Sequence, residues 1–406
     1  ATDNSIYQVL PQGVLYPRDT ADLVKIARLS QQPTFQAIVL SPRGGGTGTN
    51  GQSLTDGLVV DTSKYMNQIL EINAEERWVR VQCGVVKDQL NAALKAHGLF
   101  FAPELSTSNR ATVGGMINTD ASGQGSCTYG KTRDHVLELS TVLLGGSRLD
   151  TRPIDAQQLL VQTARADRIG EVYRTAQAIA DDKAALIEAI FPKLNRCLTG
   201  YDLAHLRETP EHFNLNSVLC GSEGSLGFIV EAKLNVLPIP RHSILVNVQY
   251  AAFMDALRDA KALMAHSPLS IETVDSKVLM LAMKDIVWHG VAQYFPAHAD
   301  TPTLGINLIE FSEKPLQFII ESASAAAPNI PIDTPFMIAT DPFSNRVASS
   351  FGKALLAGFG TEPVTNIQDL NTTCHVVNLR AGMNANPDQI VVMQFSKDGS
   401  FRFIKK

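Results

Sequence analysis

Residues 41 to 54, SPRGGGTGTNGQSL, place four glycines and two threonines in the six positions from Gly44 to Thr49. A stretch with so little side chain and so much backbone freedom lets the chain bring its own amides close to something else. Gly46-Thr47-Gly48-Thr49-Asn50-Gly51 satisfies G-x-G-x-x-G, a pattern that carries weight only between a strand and a helix. The strand is there, since FQAIVLSP (35–42) is an apolar run that reads as a buried strand. The helix is not. Asp56-Gly57 marks a turn and LVVD behind it reads as a second strand. No Lys-Ser or Lys-Thr closes the glycine run, which excludes a P-loop. What remains is a strand–loop–strand cradle whose N–H groups form a nest for an anion. A glycine loop with no ligand is the alternative.

A second constellation, PELSTSNRATVGGMINTDASGQGSCTYG (103–130), repeats the theme. Ser106, Thr107 and Ser108 precede Thr112-Val113-Gly114-Gly115, and Ser122-Gly123-Gln124-Gly125 precedes Tyr129-Gly130. Two such loops on separate strands suit a long ligand with two phosphates and a ring system. Glycine admits close backbone approach, and the hydroxyls add donors without charge.

The rest of the chain bounds what this ligand can serve. At 406 residues, two domains are expected, or three. A net charge of −5 and the lack of a basic block interleaved with aromatics argue against nucleic acid as a partner. No apolar run approaches the roughly 18 residues that span a bilayer. Five scattered cysteines, never in C-x-x-C spacing, build neither an iron–sulfur cluster nor a zinc knuckle from sequence neighbours. They suit small core residues in a reducing compartment, so the expected location is cytoplasmic, with peripheral attachment at the inner membrane left open.

Periodicity sets the order of elements. TADLVKIARLSQ (20–31) is an amphipathic helix with a Thr N-cap, WVRVQCG (78–84) a strand, and VKDQLNAALKAHG (86–98) a helix stopped by Gly98. VLELSTVLLGGSRLDT (136–151) reads as two strands around Gly145-Gly146, and IGEVYRTAQAIADDKAALIEAIF (169–191) as a long helical stretch. Pro238 and Pro240 mark a boundary. From about 243 a β-α-β-α-β run follows, ending in LGINLIEFS. Beyond about 312 the pattern loosens into a strand and loop (333–344), a helix (345–360) and a hairpin turned by Asp398-Gly399.

Arg43-Gly-Gly-Gly-Thr-Gly, Pro103…Thr112-Val-Gly-Gly, Tyr129-Gly130 and Gly221-Ser-Glu-Gly-Ser-Leu-Gly resemble, in order and spacing, the PCMH-type FAD-binding domain of the vanillyl-alcohol-oxidase-like flavoproteins. Within that group they resemble the FAD-linked D-2-hydroxyacid dehydrogenases, acting on D-lactate or D-2-hydroxyglutarate. PKLNRCLTGYDL (192–203) and SIETVDSKVLMLAMKDIVWH (270–289) are most similar to the long-chain bacterial branch, which carries an iron–sulfur module behind the flavin part. The resemblance runs from about residue 3 to 311.

It implies an α+β chain: a two-subdomain FAD-binding domain over 1–240, the start of an α/β cap with an antiparallel sheet over 241–312, and at 313–406 either the remainder of that cap or an unrelated segment. Gly44, Gly45, Gly46, Thr47, Gly48, Thr49, Asn50 and Ser53 are then expected at the FAD pyrophosphate, with Arg43 near the flavin. Pro103, Leu105, Ser106, Thr107, Gly114, Gly115, Asn118, Thr119, Ser122 and Gly123 follow the ribityl and diphosphate path, with Glu223, Gly224 and Ile229 at the adenine or isoalloxazine. Some relatives tether FAD through a histidine in the glycine loop. RGGGTG has glycine there, so FAD is expected to be noncovalent. The implied activity is hydride transfer from a D-2-hydroxyacid to flavin, with electrons leaving to a quinone, an iron–sulfur module or an electron-transfer protein rather than NAD. The alternatives are another alcohol or sugar lactone as substrate, or a flavin-binding electron relay with no substrate site.

The catalytic side does not follow from the sequence. Family members carry paired histidines and an acid for a metal and a base in the cap. The nine histidines here (97, 135, 205, 212, 242, 266, 289, 298 and 375) never occur at that spacing. No metal site and no catalytic residue is assigned. The weak resemblance of the last stretch and the start at Ala1 suggest a piece of a longer enzyme.

Overall fold

The computed structural model describes residues 2–194, 200–207, 209, 211–240, 243–286, 288–292, 295 and 302–312, and the strands 336–340, 374–378, 392–395 and 401–404. The chain divides into two compact units, Ala1–Pro238 and Ile239–Lys406.

The first unit opens with β1 (Gly13–Leu15), helix α1 (Thr20–Leu29), β2 (Leu40–Arg43) and β3 (Leu58–Asp61). These strands form a parallel sheet in the order β1-β3-β2. Parallel neighbours usually need a helical crossover. Between β2 and β3 there is only the glycine loop, so the strand–loop–strand reading holds. The expected strand over 35–42 is shorter: residues 33–37 form turns and the ladder begins at Leu40. Val39 stays 57 % exposed, because its apolar run outlasts the strand that could bury it. Helix α1 is capped by Asp19, not Thr20; the Asp19 carboxylate accepts from the Asp22 amide at 2.9 Å.

Next come β4 (Ile69–Asn73), β5 (Trp78–Gln82), helix α2 (Lys87–Lys95), β6 (Leu99–Phe100), helix α3 (Val113–Asn118), β7 (Val136–Val142), β8 (Arg148–Thr151), β9 (Ile154–Asp155), β10 (His212–Phe213), β11 (Phe228–Asn235) and β12 (Leu237–Pro238). β4-β5-β11-β7-β8 is an antiparallel five-stranded sheet. Short pairs β6-β12 and β9-β10 flank it. The Gly145-Gly146 turn has φ of +90° and +82°, which glycine adopts without strain, and it joins β7 to β8 as read. Helix α2 caps at Ala96, and Gly98 (φ +68°) makes the left-handed turn just beyond. The expected helix over 169–191 is two helices, Arg168–Asp182 and Ala184–Ile190, broken at Lys183.

One core serves both sheets of this unit. Leu23 and Ala27 of α1, Val60 of β3, Val79 and Val81 of β5, Met116 and Ile117 of α3 and Val230 and Leu234 of β11 are all buried in a single cluster. The helices thereby seat α3 against β5 and β11, and that placement brings the second glycine loop to the first.

The second unit contains β13 (Ser243–Tyr250), β14 (Ser270–Asp275), β15 (Gly305–Ser312), β16 (Phe336–Thr340), β17 (Cys374–Asn378), β18 (Val392–Phe395) and β19 (Phe401–Ile404). The sheet order is β14-β15-β13-β16-β17, antiparallel except at β16-β17. The β-α-β-α-β reading is matched by helices Phe253–Leu263 and Ser276–Ala282 between β13, β14 and β15. β18 and β19 pair antiparallel. Their expected Asp398-Gly399 turn, and the expected helix over 345–360, lie outside the described residues.

Candidate functional site

The end of β2 delivers Arg43 into a cleft of about 260 Å³. Sites for small molecules run roughly 300–1,000 Å³, so this cleft lies just below that range. Its wall contains Arg43, Gly44, Gly45, Gly46, Thr47, Gly48, Thr49, Ser53, Leu105, Thr107, Gly114, Gly115, Asn118, Thr119, Glu223 and Ile229. Segments far apart in sequence, all marked by the glycine motifs, therefore meet. Asn50, Pro103, Ser106, Ser122, Gly123 and Gly224 stand off the wall. Gly123 and Gly224 serve packing instead: a Cβ would lie 2.2 Å from the Glu104 carbonyl oxygen at the first and 2.2 Å from Pro42 Cγ at the second. Asn50 turns its amide to the Gln52 side chain at 3.0 Å.

Sequence reasoning missed Gln52, Thr62, Cys83, Thr112, Met116 and Phe228, which also line the cleft. Thr112 and Phe228 sit within or beside the glycine motifs and could have been found. Thr62 and Cys83 come from the ends of β3 and β5, and only the tertiary fold brings them there.

The two loops differ in what their amides do. From Gly45 to Thr49 no backbone N–H finds an acceptor among the described residues. In the second loop the first-turn amides of α3 are spent. Val113 donates to the Val85 carbonyl (2.8 Å), Gly114 to the Cys83 carbonyl (2.7 Å) and Gly115 to Thr112 Oγ1 (3.3 Å). Unbonded amides in a glycine run are the kind of donors that an anion nest uses. Arg43 adds a positive charge beside them, its guanidinium within 2.3 Å of where a Gly46 Cβ would lie, and it donates to the Thr2 carbonyl at 2.5 Å. On the same wall Asn118 Oδ1 is buried and has no hydrogen-bond partner among the described residues.

Two buried ion pairs fix the second loop. Lys87 Nζ meets Glu104 Oε2 at 2.7 Å, and Lys131 Nζ meets Asp120 Oδ2 at 2.7 Å. Burial pushes the Glu104 carboxyl up, and Lys87 pulls it back in part. Asp120 adopts φ +45°, and its other oxygen accepts from the Arg133 amide at 3.0 Å. Cys83, a residue of the cleft wall, is buried, and burial pushes its thiol up to about 11, so it stays protonated and a poor nucleophile near neutral pH.

Among the described residues no three His, Cys, Asp or Glu side chains come together as a metal site. His375 lies in β17, in register with Met337 of β16. No helix among the described residues is long and apolar enough to cross a membrane.

Comparison with known proteins agrees with this geometry. A family model described as an FAD binding domain matches residues 11–152, and one described as the C-terminal domain of FAD linked oxidases matches 239–342. The chain carries a PCMH-type FAD-binding domain and an FAD-linked oxidase C-terminal domain. Its cofactor is FAD. The chain is 74 % identical over 311 residues to D-2-hydroxyglutarate dehydrogenase of Pseudomonas putida, covering 77 % of this chain and 31 % of that protein. It is 52 % identical over 326 residues to the Escherichia coli protein of the same name, covering 80 % and 32 %. The chain thus spans about a third of the length of these relatives. A solved alkyldihydroxyacetonephosphate synthase shares the fold at a TM-score of 0.52 and 17 % identity, over 78 % of this chain and 50 % of that one.

Proposed function

We propose that the protein carrying this chain oxidises a D-2-hydroxyacid, D-2-hydroxyglutarate before D-lactate, to the 2-oxoacid with noncovalent FAD as the electron acceptor. The observation that carries the reading is the cleft, in which unspent amides from Gly45 to Thr49 face small glycine and threonine walls. The preference for hydroxyglutarate rests on the names of the relatives at 74 % and 52 % identity.

In this reading the nest and Arg43 hold the pyrophosphate through charge-assisted hydrogen bonds. Leu105, Gly114, Gly115, Asn118 and Thr119 flank the adjoining part of the nucleotide. Glu223, whose amide donates to the Asn118 carbonyl at 2.8 Å, keeps that wall tied to the stretch leading into β11. When bound, FAD supplies a two-electron acceptor. The chain's own residues bind and orient it and keep water from its phosphates. With Cys83 protonated and no histidine on the cleft wall, no side chain there offers a covalent tether. The divisions 1–240, 241–312 and 313–406 are proposed as flavin domain, start of cap and a segment that either completes the cap or is unrelated. Electrons are proposed to leave to a quinone, an iron–sulfur module or an electron-transfer protein, and not to NAD.

The test is anaerobic reduction of FAD bound to this chain. D-2-hydroxyglutarate is expected to bleach the visible flavin band slowly but ahead of D-lactate, with the L-isomers inert. A base missing from the chain slows the step by about 10²–10⁴. Equal bleaching by L-isomers, or none by either D-acid, overturns the assignment. Acid precipitation is expected to release all the flavin, and colour left in the pellet would show a covalent bond.

A further inference from the structure

The first glycine loop is gripped by residues 2–8, none of which stands on the cleft wall. This segment folds on itself before it meets the loop. Thr2 and Gln8 form an antiparallel bridge. Within that turn Asp3 Oδ1 accepts from the Ser5 amide at 2.8 Å, and Ser5 Oγ accepts from the Tyr7 amide at 3.1 Å. The resulting hook touches both flanks of the loop. At the leading flank the Thr2 carbonyl accepts from the Arg43 guanidinium at 2.5 Å. At the trailing flank Asp3 Oδ2 accepts from Ser53 Oγ at 3.4 Å, and the Tyr7 ring lies against Gly51, where a Cβ would stand 3.0 Å from Tyr7 Cδ2. Between these points the amides from Gly45 to Thr49 find no acceptor among the described residues. A segment that competed with the anion would put its own oxygens on those amides. This one holds the ends and leaves the middle free.

We propose that this hook, through Asp3 above all, is a positioning element: it sets the curvature of the glycine loop and the placement of Arg43 and Ser53 before the cofactor's pyrophosphate arrives. Ordering a glycine loop and a long arginine side chain at the moment of binding costs affinity, and a tether already in place removes much of that cost. Asp3 touches no cofactor atom in this account and acts through Ser53. The inference rests on FAD occupying the cleft and not on which hydroxyacid is oxidised.

The experiment compares wild type, Asp3→Ala and Asp3→Asn, each stripped of flavin, by thermal melting, by hydrogen exchange and by FAD titration followed by flavin fluorescence. Asp3→Ala is expected to melt within about 2 °C of wild type, as surface substitutions do. It is expected to exchange the amides of residues 45–53 faster and to bind FAD about threefold to tenfold more weakly. Asp3→Asn keeps an acceptor oxygen and is expected to recover part of that affinity. Ser53→Ala is expected to cost less affinity when added to Asp3→Ala than when made alone, since the two act as one unit. FAD binding to wild type is expected to slow exchange at residues 4–8. Faster exchange there on binding would mean that the hook is displaced by the cofactor, and it overturns the proposal. Unchanged FAD affinity in Asp3→Ala overturns it too, as does a melting loss that parallels the affinity loss. If wild type itself binds no FAD, the cofactor assignment of the cleft falls and this proposal with it. If FAD binds equally to wild type and Asp3→Ala, only the hook's role falls.

Discussion

The loop at 44–49 and the loop at 103–123 look alike in sequence, yet they are built for opposite tasks. In the first, the amides from Gly45 to Thr49 find no acceptor among the described residues. In the second, the amides of Val113, Gly114 and Gly115 are consumed, and buried ion pairs at Glu104 and Asp120 hold it near either end. The first loop keeps amides with no acceptor among the described residues, and the second ties its own amides down. A run of glycines is therefore ambiguous by itself: it marks either amides reserved for an anion or backbones that must touch each other.

The buried Lys87–Glu104 pair gives the largest expected effect. Lys87 and Glu104 are both almost completely buried, so Lys87→Met leaves an unpaired carboxylate inside the protein. Breaking a buried pair from one side typically costs about 3–5 kcal/mol, while replacing both partners by apolar groups is often neutral. Lys87→Met is expected to lower the denaturation midpoint sharply, and Lys87→Met/Glu104→Leu to recover most of it. A single variant as stable as wild type would show that the second loop does not depend on its clamp.

Gly45 tests where the two loops meet. A Cβ there would stand 2.1 Å from the Arg110 carbonyl oxygen, a backbone atom with little room to yield. Gly45→Ala is expected to cost about 1–3 kcal/mol, as overpacking does, and to pull the loops apart so that FAD affinity falls together with stability. Gly48 is the counterpart. Its φ is ordinary for any residue, and a Cβ would meet the flexible Gln52 carboxamide first, at 2.7 Å. Gly48→Ala is expected to melt with wild type while binding FAD about tenfold more weakly, because the added methyl crowds the anion and not the protein. If Gly45→Ala and Gly48→Ala behave alike in calorimetry and in FAD titration, the division between wall and nest is wrong.

The same contrast explains what could be read in the sequence. Local signals were legible where local physics decides. Gly145-Gly146 turned β7 into β8, and apolar runs gave β5 and the strands of the second unit except β17, which was not read as a strand. The strand expected from residue 35 failed at its first half because an apolar run records hydrophobicity, not the partner that would bury it. Thr20 was read as a cap when Asp19, one residue earlier, had the better acceptor. In the cleft, glycine motifs pointed to the right segments. They could not say that the Gly114 amide goes to Cys83 and the amides near Gly46 to no acceptor among the described residues, since that division follows from how α3 seats on β5. Thr62 and Cys83 carry no motif at all.

The smallest effect concerns the support behind the second loop. His135 is buried, its ring edge-on to Phe101 with centroids 5.8 Å apart, and its Nε2 lies 2.8 Å from the Tyr129 carbonyl oxygen. Burial holds its imidazole below the usual value of 6.5, against the pull of the Tyr129 carbonyl. The unfolded chain therefore takes up a proton before the folded one does. The stability from a neutral His135 is fully present above about pH 6.5 and is lost as pH falls toward the folded-state value. Between about pH 7.5 and about pH 5.5, wild type is expected to lose up to roughly 1 kcal/mol more than His135→Gln, which has no proton to gain and keeps a donor for the Tyr129 carbonyl. FAD affinity, corrected for the folded fraction, is expected to stay flat over the same range because the nest at 45–49 contains no group that titrates there. Parallel melting curves for the two proteins would remove His135 as the acid-sensitive brace. A fall in corrected FAD affinity with acid would mean that the wall moves with His135 and carries the nest along.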